Sequence, residues 1–491
     1  MFNSNIFKSA LALSITCLVL SCGGSSGSST PEVNLTEQQI KDLNTLTEGE
    51  ITGFGSIYVN GVKYDTSDSN IFDDDDNTLS ESDLSVGMLV KLYGELNSDS
   101  ISGTAHTIHY SPEIKGFIES IDLNLMTLTV HGQVIVFNDL THFDDTLASS
   151  LMPDDYVEVN GHFLENGNLL ATRIEQKSAV DNISIKGKVS NINLTEMQFT
   201  LGDLIIDYQD AEFDNFSVNE LSNGQFVKVK GILANLVDGV FDVDTVKLYS
   251  FKPEDEHNHT YHYLNGLIAN LQNDYSFMIG DVQVIISDST RVEYGSLDNL
   301  ANDLNVKIKG EYNSNNQLVA SKIYIVNQVE VKAQGLVEDI NTTLRTITVL
   351  GVTFMYNEFT RFDDDSENDS HTFNDSSLGI GDFVEIKGYI NTDGDYVASK
   401  ISKDDEDDSS QAVSEFEGQV SNISDNGFTL FGIDFIVNDN TEYEIYDVYV
   451  TKQEFFDKIT QGMFIEVEAR IEDDQYIVVE VEIEADEIDD D

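Results

Sequence analysis

GMLVKLYG at residues 87–94, DDYVEVNG at 154–161, GQFVKVKG at 224–231, DLNVKIKG at 303–310, GDFVEIKG at 381–388 and GMFIEVEA at 462–469 are six copies of one eight-residue segment. Each begins with Gly or Asp, and all but the last close on Gly seven residues later. Inside them Val90, Val157, Val227, Val306, Val384 and Ile465 alternate with Lys91, Glu158, Lys228, Lys307, Glu385 and Glu466. That period of two is a β-strand with one apolar face and one wet face. The closing Gly predicts a bulge or a close backbone approach, and Ala469 marks drift in the last copy.

The flanks repeat as well. Ten residues beyond the closing Gly stand Ala171-Thr172-Arg173-Ile174, Ala320-Ser321-Lys322-Ile323 and Ala398-Ser399-Lys400-Ile401. Turn residues such as Asn166-Gly167-Asn168 and Asp393-Gly394-Asp395 lie between, so the segment opens a hairpin. Upstream, extended pairs pivot on Gly116 and Gly132, Gly187 and Gly202, Gly266 and Gly280, Gly335 and Gly351, Gly418 and Gly432. Each unit thus holds about five strands.

The end glycines are Gly94, Gly161, Gly231, Gly310 and Gly388, a spacing near the lower limit for a cored domain. Short antiparallel strands at that size lose their open edges by closing into a small barrel. In the last copy Thr451-Lys452-Gln453-Glu454, ahead of Phe455-Phe456, is a capping box opening a short helix between the third and fourth strands. An OB-fold carries its helix there, although a two-sheet sandwich satisfies the same element order. The expected fold is therefore all-β: six tandem OB-like barrels as beads on a string, with contacts between sequence neighbours. The units fall at 48–111, 115–178, 185–250, 262–327, 331–404 and 414–485, followed by an acidic tail at 486–491.

The N-terminus reads as an export signal over residues 1–21, with Lys8 as its positive region and an apolar stretch too short to span a bilayer. Val19-Leu20-Ser21-Cys22 resembles the lipobox of bacterial lipoproteins, which implies acylation of Cys22 and cleavage before it. GGSSGSST at 23–30 then serves as a flexible tether, and a capping box at Thr36 opens a short helix, completing the segment 22–47. Cys17 falls inside the signal, so beyond Cys22 the chain has no disulfide, thiolate metal site or cysteine nucleophile. Gly23 after the cysteine implies, by the familiar sorting rule, the bacterial outer membrane, with the periplasmic or surface face undetermined.

Repeat and lipobox together resemble a family of bacterial lipoproteins built of tandem repeats of a small all-β domain of unknown function. ITGFGSIYVNGVKYDTSDSNI at 51–71 is similar to its first repeat, and YVEVNG and ATRIEQ to its hairpin. The resemblance implies architecture and an envelope location, and no activity.

Of 491 residues, 89 are Asp or Glu and 26 Lys or Arg, a formal charge of −63. Such a chain is repelled by nucleic acid and by anionic lipid headgroups unless a basic face is segregated, and none is visible. Hydrophobic content of 40% supports cored domains, so the charge sits on folded surfaces.

Acidic residues follow a Phe after the third strand of several units: Asp73, Asp74, Asp75 and Asp76; Asp144 and Asp145; Asp363, Asp364 and Asp365. Calcium takes six to eight oxygens from such flexible carboxylates, and a solubilising acidic loop is the competing reading. His257, His259 and His262 in the linker before the fourth unit have spacing that suits Zn, Ni or Cu, or a plain polar linker. His106, His109, His131, His142, His162 and His371 share no position among the units. No nucleophile elbow, Walker loop, zincin helix or dinucleotide turn is present. The expectation is a lipid-anchored, non-enzymatic envelope protein serving as spacer or interaction scaffold, without a cofactor. The alternative is a surface module binding divalent cations, calcium first, or polysaccharide. Expected partners are the membrane through the lipid and an envelope protein or polysaccharide, and not nucleic acid.

Overall fold

The computed structural model describes residues 45–97, 101–144, 146–250, 261–366, 373–405, 414–446, 448–472 and 475–483. Cys22, Asp145, His257, His259 and the helix expected at Thr36 lie outside them.

Unit 2 shows how each barrel closes. Its first strand, Ile114–Asp122, pairs antiparallel with the second, Thr127–Val130, and the second with the third, Gln133–Val136. The third runs parallel to the fifth, Leu169–Lys177, which pairs antiparallel with the fourth, Tyr156–Phe163. The fourth returns to the first, with Val157 opposite Gly116, and the ring is complete. This strand order, 1-2-3-5-4-1 with 3 and 5 parallel, is OB-like and decides against the sandwich. The expected all-β architecture of six OB-like units stands. Strands two and three join through two-residue turns with both φ positive, Asn60-Gly61, His131-Gly132, Leu350-Gly351 and Phe431-Gly432, the geometry that matches strand twist.

The repeated segment is the fourth strand. Pairing with the fifth strand slips at Gly94, Gly161, Gly310, Gly388 and Ala469, the bulge that the closing residue predicts. A Cβ on Gly388 would lie 2.2 Å from the Val397 carbonyl oxygen, so the backbones approach as closely as glycine permits. Between third and fourth strands lie one short strand, or two in units 1 and 6, and, in units 1 to 4, a single 3-10 turn. In unit 6 that place is taken by the one α-helix of the described residues, Lys452–Lys458, with Thr451 and Glu454 forming the expected capping box.

The units are not separate beads. The leading half of a first strand has its own fourth strand on one side and nothing of its own barrel on the other, an open edge. Each edge is closed by the first strand of another unit. Unit 2 pairs antiparallel with unit 3 (Ser184 opposite Lys115), and unit 5 with unit 6 (Ala333 opposite Phe416). Unit 1, however, pairs parallel with unit 4, Thr45–Gly53 against Tyr261–Leu267, from Thr45 opposite Tyr261 to Glu48 opposite Leu264. Three continuous sheets result, each holding two barrels. The first strand of unit 1 thereby begins at Thr45, inside the segment read as tether. The expectation of contacts between sequence neighbours holds for units 2 with 3 and 5 with 6 and fails for unit 1 with unit 4, because edge closure selects a partner by geometry, not by chain distance.

Apolar side chains fill separate cores in units 1 to 4, but units 5 and 6 share one, in which Phe416 packs on Phe431, Phe435 and Tyr476. The wet face of the fourth strand also needs correction. Lys228 and Lys307 are buried, because these polar positions face other units and not solvent.

Candidate functional site

Polar residues of the first and fourth strands meet along seams between units, and two cavities open there. The first, of about 380 Å³, lies where units 1, 2, 3 and 4 converge. Lys186 of unit 3 donates to Glu113 of unit 2 at 2.7 Å and stands 3.6 Å above the Tyr249 ring. The second oxygen of Glu113 accepts from the Gly161 amide at 3.1 Å. Lys228 donates to Ser111 Oγ and the Pro112 carbonyl, both at 2.9 Å, and pairs with Asp74 of unit 1. Lys230 pairs with Asp74 at 3.0 Å and with Asp75. Burial pushes the Asp74 carboxyl up, but the two ammonium groups outweigh it and hold it well below the usual carboxylate range. Charges inside this junction are thus cancelled in pairs, the condition for burying them at all.

Glu48 lines the same cavity, with Lys91 at 3.1 Å. Burial is the larger influence and raises its carboxyl from 4.5 to about 7. A raised folded-state pKa means that the protonated acid stabilises the fold, fully below pH 4.5, and that this contribution is lost as pH climbs through 7. Glu48→Gln is expected to flatten that slope. The variant should match the parent near pH 4.5 and exceed it near pH 8, by on the order of 3 kcal/mol; thermal midpoints of both proteins across this range check it.

The second cavity, of about 480 Å³, lies between units 2 and 5 with Phe54, Ser85 and Val86 of unit 1 at its rim. The short strands His142–Asp144 and Arg361–Asp364 meet there. They occupy equivalent places in their units: His142 is paired in register with Arg173 of its fifth strand, and Arg361 with Lys400. His142 Nδ1 lies 2.5 Å from Asp363 Oδ2, and Lys400 Nζ lies 3.2 Å from Asp363 and 3.6 Å from Asp365. Burial works against ionisation of Asp363, yet Lys400 and His142 hold its carboxyl far below the ordinary range. Burial raises that of Asp365. Arg361 itself leaves the cavity, pairing with Glu50 of unit 1 and donating to the Leu140 carbonyl of unit 2. Arg173 pairs with Asp144 and, at 2.7 Å, with Glu175.

The acidic candidates therefore divide. Asp73 closes its own turn, accepting from the amides of Asp75 and Asn77 at 2.9 and 2.8 Å. Asp74 and Asp75 bind lysines of unit 3, and Asp76 remains exposed. Asp144, Asp363, Asp364 and Asp365 gather in the second cavity, where Asp364 accepts from Ser366 at 2.5 Å. His262 is not in a linker. It is the second residue of the first strand of unit 4, buried, with Nδ1 2.9 Å from the Tyr312 hydroxyl. His142, Glu48, Glu50, Glu113, Lys186 and Arg361 were not singled out as site residues by sequence. The one available signal was the parallel between His142-Phe143-Asp144 and Arg361-Phe362-Asp363.

Among known proteins, a family model described as a domain of unknown function (DUF5666) matches six times, at residues 48–109, 115–175, 186–241, 265–324, 334–402 and 417–482. The chain belongs to this family. No curated protein matches it. A solved chain described as "drosophila Unr CSD456" is similar at 15% identity over 42% of this chain and 98% of that one, with a TM-score of 0.14.

Proposed function

We propose that this member of the DUF5666 family is a non-enzymatic, lipid-anchored scaffold of the bacterial cell envelope, held to the outer membrane through Cys22. The observation that carries the reading is the use made of the buried charges. Lys186 with Glu113, Lys228 with Asp74 and Arg361 with Glu50 each join two different units. Ionisable groups at the seams are thus committed to holding barrels together, the requirement of a body that must present its outer surface rigidly. The acidic exterior then serves solubility and spacing. A second reading, a surface module for divalent cations or polysaccharide, draws support from the carboxylates around the second cavity.

Thermal unfolding of residues 31–491 in millimolar calcium, with magnesium and matched sodium chloride beside it, separates the two. On the scaffold reading all three salts raise the midpoint equally, by screening the charge of −63. A stabilisation by calcium alone, about 2.7 kcal/mol at a hundredfold excess over Kd, moves the second reading to the front. For the anchor, Cys22→Ser is expected to move the protein from the membrane fraction to the soluble one, and retention in the membrane counts against it.

A further inference from the structure

We propose that His142, Asp363 and Asp365 form a divalent transition-metal site that clasps unit 2 to unit 5. One ligand atom from each of the three lies within 4.8 Å of the others. A tetrahedral zinc-class ion holds nitrogen and carboxylate ligands at about 2.0 to 2.2 Å, so its ligand atoms stand about 3.3 to 3.6 Å apart. Side-chain movements on the order of one ångström, parting His142 from Asp363 and drawing Asp365 in, bring the set to that spacing. Carboxylates alone would be weak grounds, but His142 adds an independent observation. The residue is 8% exposed, and its Nδ1 meets Asp363 Oδ2 at 2.5 Å, with Asp365 completing the set. A buried imidazole and two carboxylates from two units thus converge on one point, as ligand atoms do around an ion. On the far side of the ring, Asp144 lies 4.0 Å from Nε2. Its charge favours the proton there and leaves the Nδ1 lone pair for the metal.

The donor set selects the ion class. One imidazole and two carboxylates give three protein ligands with room for water in the adjoining cavity, which suits zinc, cobalt or nickel. Calcium asks for six to eight oxygens. Lys400 acts as the competitor: its ammonium rests against both carboxylates in the metal-free form and must withdraw on its flexible stem when the ion enters. Since the ligands come from units that are not neighbours in sequence, the ion would reinforce a seam that has no shared sheet. The inference goes beyond the scaffold reading and does not depend on it.

The test is calorimetric titration of chelator-treated residues 31–491 with zinc chloride, in a background carrying His257→Asn and His259→Asn to silence the linker. One saturable site is expected, together with a thermal midpoint raised above that in equal magnesium. Asp365→Asn, at a partly exposed side chain, should weaken zinc binding by at least about tenfold, and His142→Gln likewise. Lys400→Met should tighten it, because the competing ammonium is gone. Cobalt should give visible ligand-field bands that disappear in Asp365→Asn. Absence of saturable binding overturns the proposal. So does binding that Asp365→Asn leaves unchanged, or that Lys400→Met abolishes, the last being the mark of a purely structural ion pair.

Discussion

Glu113→Ala is expected to destabilise the seam between units 2 and 3 by about 3–5 kcal/mol, among the largest effects of any single polar substitution in the chain. The reason is the asymmetry of buried pairs. Removing the acid leaves the Lys186 ammonium, with a side chain 2% exposed, without its hydrogen-bonded carboxylate and resting on the face of Tyr249. It also strips the Gly161 amide of its acceptor. Replacing both partners by apolar residues of similar length, Glu113→Leu with Lys186→Met, removes the buried charge altogether. That double variant should recover most of the loss, since a buried ion pair exchanged for packed hydrocarbon is often neutral or better. Denaturation midpoints of the two single variants and the double variant give the coupling directly. Equal and additive losses would mean that the two residues do not interact.

Phe416→Ala should also cost about 3–5 kcal/mol, by a different mechanism and in a different place. Phe416 is fully buried in the core common to units 5 and 6, where its ring packs edge-on against Phe435 at 4.8 Å and Tyr476 at 5.5 Å. Its backbone also pairs across the joint with Ala333 of unit 5. Truncation opens a cavity at the joint where units 5 and 6 share one core, so both should lose stability together. Units 1 to 4 have cores of their own and should keep their transition. Calorimetry of the intact chain distinguishes this from a uniform shift of every transition, which the separation of cores does not allow.

Local features of the fold were legible in the sequence because local chemistry determines them. The alternation around Val157 and Val384 marked the fourth strand, the closing Gly marked its bulge, and Thr451 with Glu454 marked the helix. The assembly was not legible. Whether Lys228 or Lys307 faces water or another barrel depends on what covers the strand, and period-two alternation reads the same in both cases. The partner of an open edge is likewise absent from local pattern: Thr45–Gly53 meets Tyr261–Leu267 although the whole of units 2 and 3 lies between them in the chain. The candidate site suffered similarly. Asp363 and Asp365 were visible as an acidic run, but their companion His142 belongs to another unit and looked isolated until unit 2 docked on unit 5. In the acidic run at Asp73 to Asp76, lysines of unit 3 hold two of the members.

The central claim is that distant units are joined through polar seams into one body, and zero-length carbodiimide cross-linking of the native chain tests it most directly. Carbodiimide joins a carboxylate to an amine only when they already touch. Lys230 and Asp75 touch across the seam between units 3 and 1, with Asp75 open to solvent, and Lys387 stands 3.8 Å from Asp139 between units 5 and 2. Mass spectrometry of the digested monomer should therefore recover peptides linking Asp75 to Lys230 and Asp139 to Lys387. Cross-links confined to single units and to sequence neighbours would contradict the account and return the molecule to a string of separate barrels.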